Sequence, residues 1–156
     1  MNLDIIEIKV LDNSFAKILS DELSKENKEY LKYFTPFETT LPSIKKILQE
    51  SKKDKYFGIF VNESLAGFYM LRGFDAGYDI PAYGVWISSK YSNCGLSTLT
   101  LYHAFAFCKM NSIKRLMLKV YPQNKTAKEL FESVGFVQTG IDTDNTKLIY
   151  HKSFRS

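Results

Sequence analysis

The spacing of apolar residues changes period several times along the chain, and each change marks an element. Ile6, Ile8 and Val10 alternate with Glu7 and Lys9, which predicts a half-buried strand over about Asp4 to Leu11. Asp12 to Ser14 offer helix caps, and Phe15, Ile18, Leu19 and Leu23 then recur at helical spacing. A second helix is expected near Thr40, with Pro42 tolerated in its first turn and Leu41, Ile44, Ile47 and Leu48 forming one stripe. Tyr56 to Val61 and Leu65 to Leu71 flank Asn62-Glu63-Ser64 as a hairpin, and Gly73 to Asp79 reads as a loop. Tyr83 to Ser88 is a further strand. It runs through a polar turn into a long helix, Leu96 to Met110, which is apolar on most sides and so expected to lie buried against a sheet. Leu116, Leu118 and Val120 alternate as a strand. Ala127, Leu130, Phe131 and Val134 then make an amphipathic helix stopped by Gly135, before two short closing strands, Phe136 to Gly140 and Lys147 to His151.

This order, strand, two helices, three strands, helix, strand, helix, two strands, predicts an α/β domain with one central mixed sheet covered by helices on both faces. At 156 residues, without internal repeats or a long linker, the chain is expected to form a single domain over 1–156. A net charge of +4 suits an anionic ligand, but the basic residues are scattered and form no stripe with interleaved aromatics, which argues against nucleic acid. Cys94 and Cys108 are too few for a disulfide framework or a four-cysteine zinc site, and a reduced, cytoplasmic setting is expected. The two histidines, His103 and His151, offer no metal-binding pattern. Asp75-Ala76-Gly77-Tyr78-Asp79 lacks the remaining ligands of a calcium loop, so no metal is expected. The first residues lack the basic and apolar regions of a signal peptide, and no run approaches a membrane span.

The chemistry concentrates between Val85 and Met110. A turn of small and polar residues before a helix presents unpaired backbone N–H groups reinforced by the helix dipole, a setting that binds phosphate. Gly95 lets a ligand approach the backbone closely, and Ser92, Asn93, Ser97 and Thr98 add donors. The lysine and hydroxyl that close a P-loop are absent. Cys94 in this turn has no neighbouring histidine in sequence and reads as a spectator thiol.

Trp86-Ile87-Ser88-Ser89-Lys90-Tyr91-Ser92-Asn93-Cys94-Gly95-Leu96-Ser97, followed after a helix and a strand by Asn124-Lys125-Thr126-Ala127-Lys128-Glu129-Leu130-Phe131-Glu132-Ser133-Val134-Gly135-Phe136, resembles the GNAT superfamily of acyl-CoA-dependent N-acetyltransferases. The resemblance implies a mixed, mostly antiparallel sheet of about seven strands. It also implies acetyl-CoA as co-substrate, lying in a V-shaped opening between the strands Tyr83 to Ser88 and Lys114 to Tyr121. Cofactor contacts are expected from Val85, Trp86, Ile87, Ser92, Asn93, Cys94, Gly95, Leu96, Ser97, Asn124 and Phe131. Three positions of the turn depart from the family pattern. Ser92 stands for the usual arginine or glutamine, Asn93 for the first glycine and Ser97 for the last. Phe131 occupies the place of the tyrosine that protonates the leaving thiolate in many members; a thiol with a pKa of about 8.5 can leave without it.

An alkylamine acceptor with a pKa of about 10 must lose a proton before it attacks. Asp79 is the favoured base, with Asp75 and Glu38 as alternatives, while Tyr83 and Tyr121 could act as acid or organise water. Asn124 fits a helix cap as well as a cofactor contact. The aromatic stretch Tyr33 to Phe37 and the loop after Arg72 resemble a GNAT subgroup linked with surface-polysaccharide synthesis. This implies a small-molecule amine, such as an amino sugar or its nucleotide, held by Phe34, Phe37, Glu38, Arg72, Asp75 and Tyr78. Two alternatives stay open: a protein N-terminal or lysine acetyltransferase, and a non-catalytic acyl-CoA sensor favoured by Phe131 and the eroded glycines. No membrane or nucleic-acid partner is expected, and homodimerisation is left open.

Overall fold

The computed structural model describes residues 1–144 and 146–155. In chain order these form β1 (Ile6–Val10), α1 (Ala16–Ser24), α2 (Leu41–Glu50), β2 (Lys55–Val61), β3 (Ser64–Arg72), β4 (Ala82–Ile87), α3 (Leu96–Met110), β5 (Arg115–Val120), α4 (Lys125–Ser133), β6 (Val137–Ile141) and β7 (Leu148–Ser153). Short 3-10 turns, Asn13–Phe15 and Ser89–Tyr91, lead into α1 and toward α3. The seven strands make one sheet in the order β1-β2-β3-β4-β5-β7-β6. Every pairing is antiparallel except β4 with β5, which is parallel.

Alternation along the strands divides the core into two faces. Phe57, Tyr69, Leu71, Tyr83, Leu116, Leu118 and Tyr150 pack against Leu101, Ala104, Phe105 and Cys108 of α3 and Phe131 of α4. On the opposite face, Tyr56, Phe68, Met70 and Trp86 meet Leu19 and Leu23 of α1 and Ile44 and Leu48 of α2. The two expectations that depended on one-sided burial need correction. Strand β1 is an edge strand, and only Ile8 is half-buried while Ile6 and Val10 are exposed, because α3 does not reach over it. Helix α3 buries one face only, leaving Leu99, Tyr102 and Met110 on the surface, since the sheet lies on a single side of it.

The parallel pair is the feature that creates a site. β4 and β5 are joined at one register position, Ala82 opposite Met117, with the Met117 N–H donating to Pro81 O at 3.0 Å. Beyond that point the strands diverge and the sheet opens.

Candidate active site

The divergence of β4 and β5 forms a cleft of about 820 Å³, lined along one wall by Ala82, Tyr83, Gly84 and Val85 and along the other by Met117 to Tyr121. Asn124, Ala127 and Phe131 of the α4 region close one end. Tyr33 to Pro36, Arg72, Tyr78, Lys147 and His151 also line the cleft.

Register decides what β4 offers the cleft. Ser88 N–H donates to Ala66 O at 2.7 Å, so in the antiparallel alternation Trp86, Gly84 and Ala82 also turn their backbone groups toward β3. Val85 and Ile87 turn theirs the other way, toward the gap before β5. The Ile87 carbonyl accepts from the Tyr30 hydroxyl at 2.6 Å. The Val85 N–H thus points where a thioester carbonyl would need a preorganised donor. Trp86, expected among the cofactor contacts, turns its backbone groups toward β3 by the same alternation. Its side chain is buried on the α1 face, and its Nε1 donates to Glu26 Oε2 at 3.1 Å.

The turn before α3 is built to leave N–H groups open. Asn93 and Gly95 hold φ of +62° and +83°, so the asparagine keeps the left-handed backbone that a glycine would supply there. Gly95 caps α3 without a side-chain hydrogen bond, and a Cβ placed on it would meet nothing within 4 Å. The first intrahelical bond is Leu99 N–H to Gly95 O at 3.0 Å, which leaves the N–H groups of Leu96, Ser97 and Thr98 facing outward from the helix start. Ser92, Asn93, Cys94 and Gly95 are exposed, Leu96 is buried under the turn and Ser97 is half-buried. These groups fit a pyrophosphate. Glu26, just beyond the end of α1, anchors the turn, accepting from Ser89 N–H at 3.1 Å and from Ser89 Oγ at 2.7 Å. The sequence reading did not single out Glu26, which becomes recognisable only once α1 is packed beneath β4.

Asn124 caps α4, accepting from Ala127 N–H at 3.4 Å, and also lines the cleft. Phe131 is buried there, with its ring edge-on to Tyr83 at 6.1 Å. The Tyr83 hydroxyl is turned to Thr100. Thr100 Oγ1 donates to Ser97 O at 2.7 Å, so the Tyr83 hydroxyl 2.8 Å away gives its proton to Thr100, and burial raises its pKa. Tyr121 does line the cleft. Its hydroxyl lies 3.3 Å from Thr35 Oγ1, and Lys147 Nζ stands 4.7 Å from its ring centroid.

The acidic residues expected to serve as base or to hold the acceptor lie elsewhere. Asp79 is exposed and outside the cleft lining, although its neighbours Tyr78 and Ile80 are within it. Asp75 accepts from the backbone N–H groups of Lys52 at 3.0 Å, Lys53 at 2.8 Å and Asp54 at 3.3 Å, which lower its pKa and make it a staple of its loop. Glu38 is exposed and accepts from Ser43 Oγ at 3.2 Å beside the start of α2. Phe34 and Tyr78 line the cleft, and Phe37 lies beneath the Arg72 guanidinium, 5.1 Å from ring centroid to Cζ. Arg72 is half-buried and donates one N–H to Pro36 O at 3.1 Å. Among the described residues it forms no ion pair, whereas Lys119 across the cleft is paired with Asp142 at 2.8 Å.

Among the described residues, no group of three or more histidine, cysteine or acidic side chains could hold a metal ion, and no helix is long and apolar enough to cross a membrane. A family model described as Acetyltransferase (GNAT) family matches residues 18–136. The acetyltransferase of GNAT family from Streptococcus pneumoniae is 22% identical, with a TM-score of 0.75 over 96% of this chain and 100% of that one. An acetyl transferase from Salmonella typhimurium, which modifies the N-terminal serine of a 50S ribosomal subunit protein, is 16% identical, with a TM-score of 0.80 over 96% and 95%. A PaiA N-acetyltransferase from Thermoplasma acidophilum, solved in complex with coenzyme A, is 18% identical, with a TM-score of 0.74 over 96% and 99%. At these identities the likeness is one of fold. No curated protein gives a significant sequence match.

Proposed function

The chain belongs to the GNAT family of acetyltransferases and is an acyl-CoA-dependent N-acetyltransferase; from that premise we propose that its acceptor is a small primary amine bearing a phosphate or carboxylate, an amino-sugar phosphate being the type that fits best. The observation that carries this reading is Arg72. Its guanidinium is half-buried in the cleft wall, held in place by the Pro36 carbonyl and the Phe37 ring, without a carboxylate partner among the described residues. A positioned guanidinium with donors to spare suits bidentate binding of an oxyanion. Lys147 on the facing wall adds to the positive field, and Phe34 and Tyr78 supply apolar surface for a ring.

In this reading acetyl-CoA supplies the acyl group, with its pyrophosphate on the Asn93–Ser97 turn and its thioester beside Val85. The Val85 N–H polarises the carbonyl as negative charge develops on its oxygen. The aromatic wall and the narrowing at Ala82–Met117 orient the amine toward that carbon and limit water. Phe131 offers no proton, so the thiolate departs on its own low basicity.

A protein amino terminus is the second reading, favoured by structural relatives named for acetylating ribosomal proteins. The deciding experiment follows thiol release from acetyl-CoA across simple amines, amino sugars with and without phosphate, and peptides with free amino termini. The proposal expects the phosphorylated amino sugars to lead; a peptide that outpaces every small amine would replace it with the second reading.

A further inference from the structure

Within the amine-acetylation reading, on which this inference rests, we propose that His151 is the general base, taking the proton from the acceptor's ammonium group directly or through a bridging water. None of the carboxylates expected to do so lines the cleft, and Asp54, which does, is tied to its loop by the N–H groups of Gly73 at 3.0 Å and Asp75 at 3.2 Å, whereas His151 lines the cleft without a carboxylate's backbone ties. It lies on β7 opposite Met117, the residue at which β4 and β5 part, and therefore at the closed end of the opening.

The surroundings of the imidazole are those of an oriented base. The pairing of β6 with β7 slips between Gln138 and Gly140, so that Thr139 is a bulge residue. Its Oγ1 lies 2.6 Å from His151 Nδ1 and donates to Ile149 O at 3.4 Å. With the threonine proton on that carbonyl, Oγ1 accepts from Nδ1–H, and the lone pair is left on Nε2, the ring nitrogen free to face the cleft. On β5 the same sheet face presents Arg115 and Lys119 on either side of Met117, with Lys119 neutralised by Asp142. On β6 the facing residues are Val137 and Thr139, and on β7 itself Ile149 and Ser153. No carboxylate among these residues stabilises an imidazolium, and burial followed by the Arg115 charge lowers the histidine pKa below its ordinary 6.5. The ring is therefore neutral, and able to accept a proton, at pH 7.

The proton balance is simple. An N–H bond of the ammonium breaks and its proton goes to Nε2. The freed nitrogen pair forms the C–N bond as the C–S bond breaks, and a second nitrogen proton ends on the departing thiolate. The imidazolium then returns its proton to water.

Two experiments bear on this. In protein carrying 15N-labelled histidine and saturated with acetyl-CoA, NMR should find the Nδ1–H tautomer of His151 at neutral pH and a titration midpoint below 6.5; an Nε2–H tautomer would overturn the proposal. With glucosamine 6-phosphate as acceptor, His151→Gln should lower kcat by about a hundredfold or more and abolish the acid limb of the pH profile. Hydroxylamine, largely unprotonated at neutral pH, should lose much less, because it arrives without the proton the base removes. Equal losses with both acceptors, or a variant as active as wild type, would overturn the assignment. Thr139→Val, which keeps the imidazole, should give a smaller loss together with a shifted tautomer balance. If wild type acetylates hydroxylamine but not glucosamine 6-phosphate, the anionic-acceptor reading falls, and the NMR tautomer still decides this one.

Discussion

The two ends of the cleft are made of different materials. The acetyl-CoA end consists almost wholly of backbone: N–H groups at Val85 and at the start of α3, set by strand alternation and by two left-handed residues in one turn. The acceptor end consists of side chains drawn from separate stretches of sequence: Thr35, Arg72, Tyr121, Lys147 and His151. Backbone donors tolerate exchange of nearly every side chain around them, which explains how Asn93 and Ser97 can replace glycines with the turn intact. Side-chain donors tolerate none, so under the proposed function the choice of acceptor rests on these side chains.

That contrast can be broken first at Arg72. Arg72→Gln removes a charge-assisted contact, which costs about 2–3 kcal/mol in charged hydrogen bonding. KM for a phosphorylated amine should rise roughly thirty- to a hundredfold or more, while acetyl-CoA affinity, measured by calorimetry, stays put; weaker acetyl-CoA binding would mean the two ends are not separable. Next comes Gly95→Val. The added Cβ meets open space, so the cost is conformational strain at φ +83°, about 1–2 kcal/mol. The melting midpoint should fall by about 2–8 °C, and calorimetry should show acetyl-CoA binding weakened where the turn relaxes away from φ +83°.

Glu26→Gln sharpens the comparison by loosening the side-chain anchor beneath the backbone turn. It replaces an acceptor of two Ser89 bonds and the Trp86 bond by an amide that can satisfy only part of them, at about 1 kcal/mol. A fall of about 2–4 °C in the melting midpoint should result. The smallest effect expected is a pH dependence of stability. His103 and His151 both titrate below 6.5 in the folded protein, so the unfolded chain binds protons more tightly. Their contribution is fully present above pH 6.5 and is lost as pH falls through the folded values. Melting scans between pH 7 and pH 5.5 should show the midpoint fall, and His151→Gln should reduce that fall.

The same division of materials governs what the sequence could reveal. The α3 boundaries, Leu96 and Met110, follow from apolar spacing and the preceding glycine, and the observed helix has those ends. The opening between β4 and β5 was likewise foreseeable from the family resemblance, since it depends on element order. Asp79 and Asp75 follow from the resemblance, since the family often draws its base from the loop before the strand that enters the cofactor turn, but a resemblance cannot say whether a loop side chain faces a cleft or ties down its own backbone. His151 carried no local signal at all. Its place in the site depends on β7 inserting between β5 and β6, and its orientation on a one-residue bulge at Thr139, neither of which leaves a periodic trace.

The most direct test of the account compares glucosamine 6-phosphate with glucosamine as acceptors for the wild-type protein, following thiol release from acetyl-CoA. The account predicts a kcat/KM at least about tenfold higher for the phosphorylated sugar, the preference expected of one well-placed oxyanion contact. Equal rates for the two sugars, or a preference for the uncharged one, would contradict it.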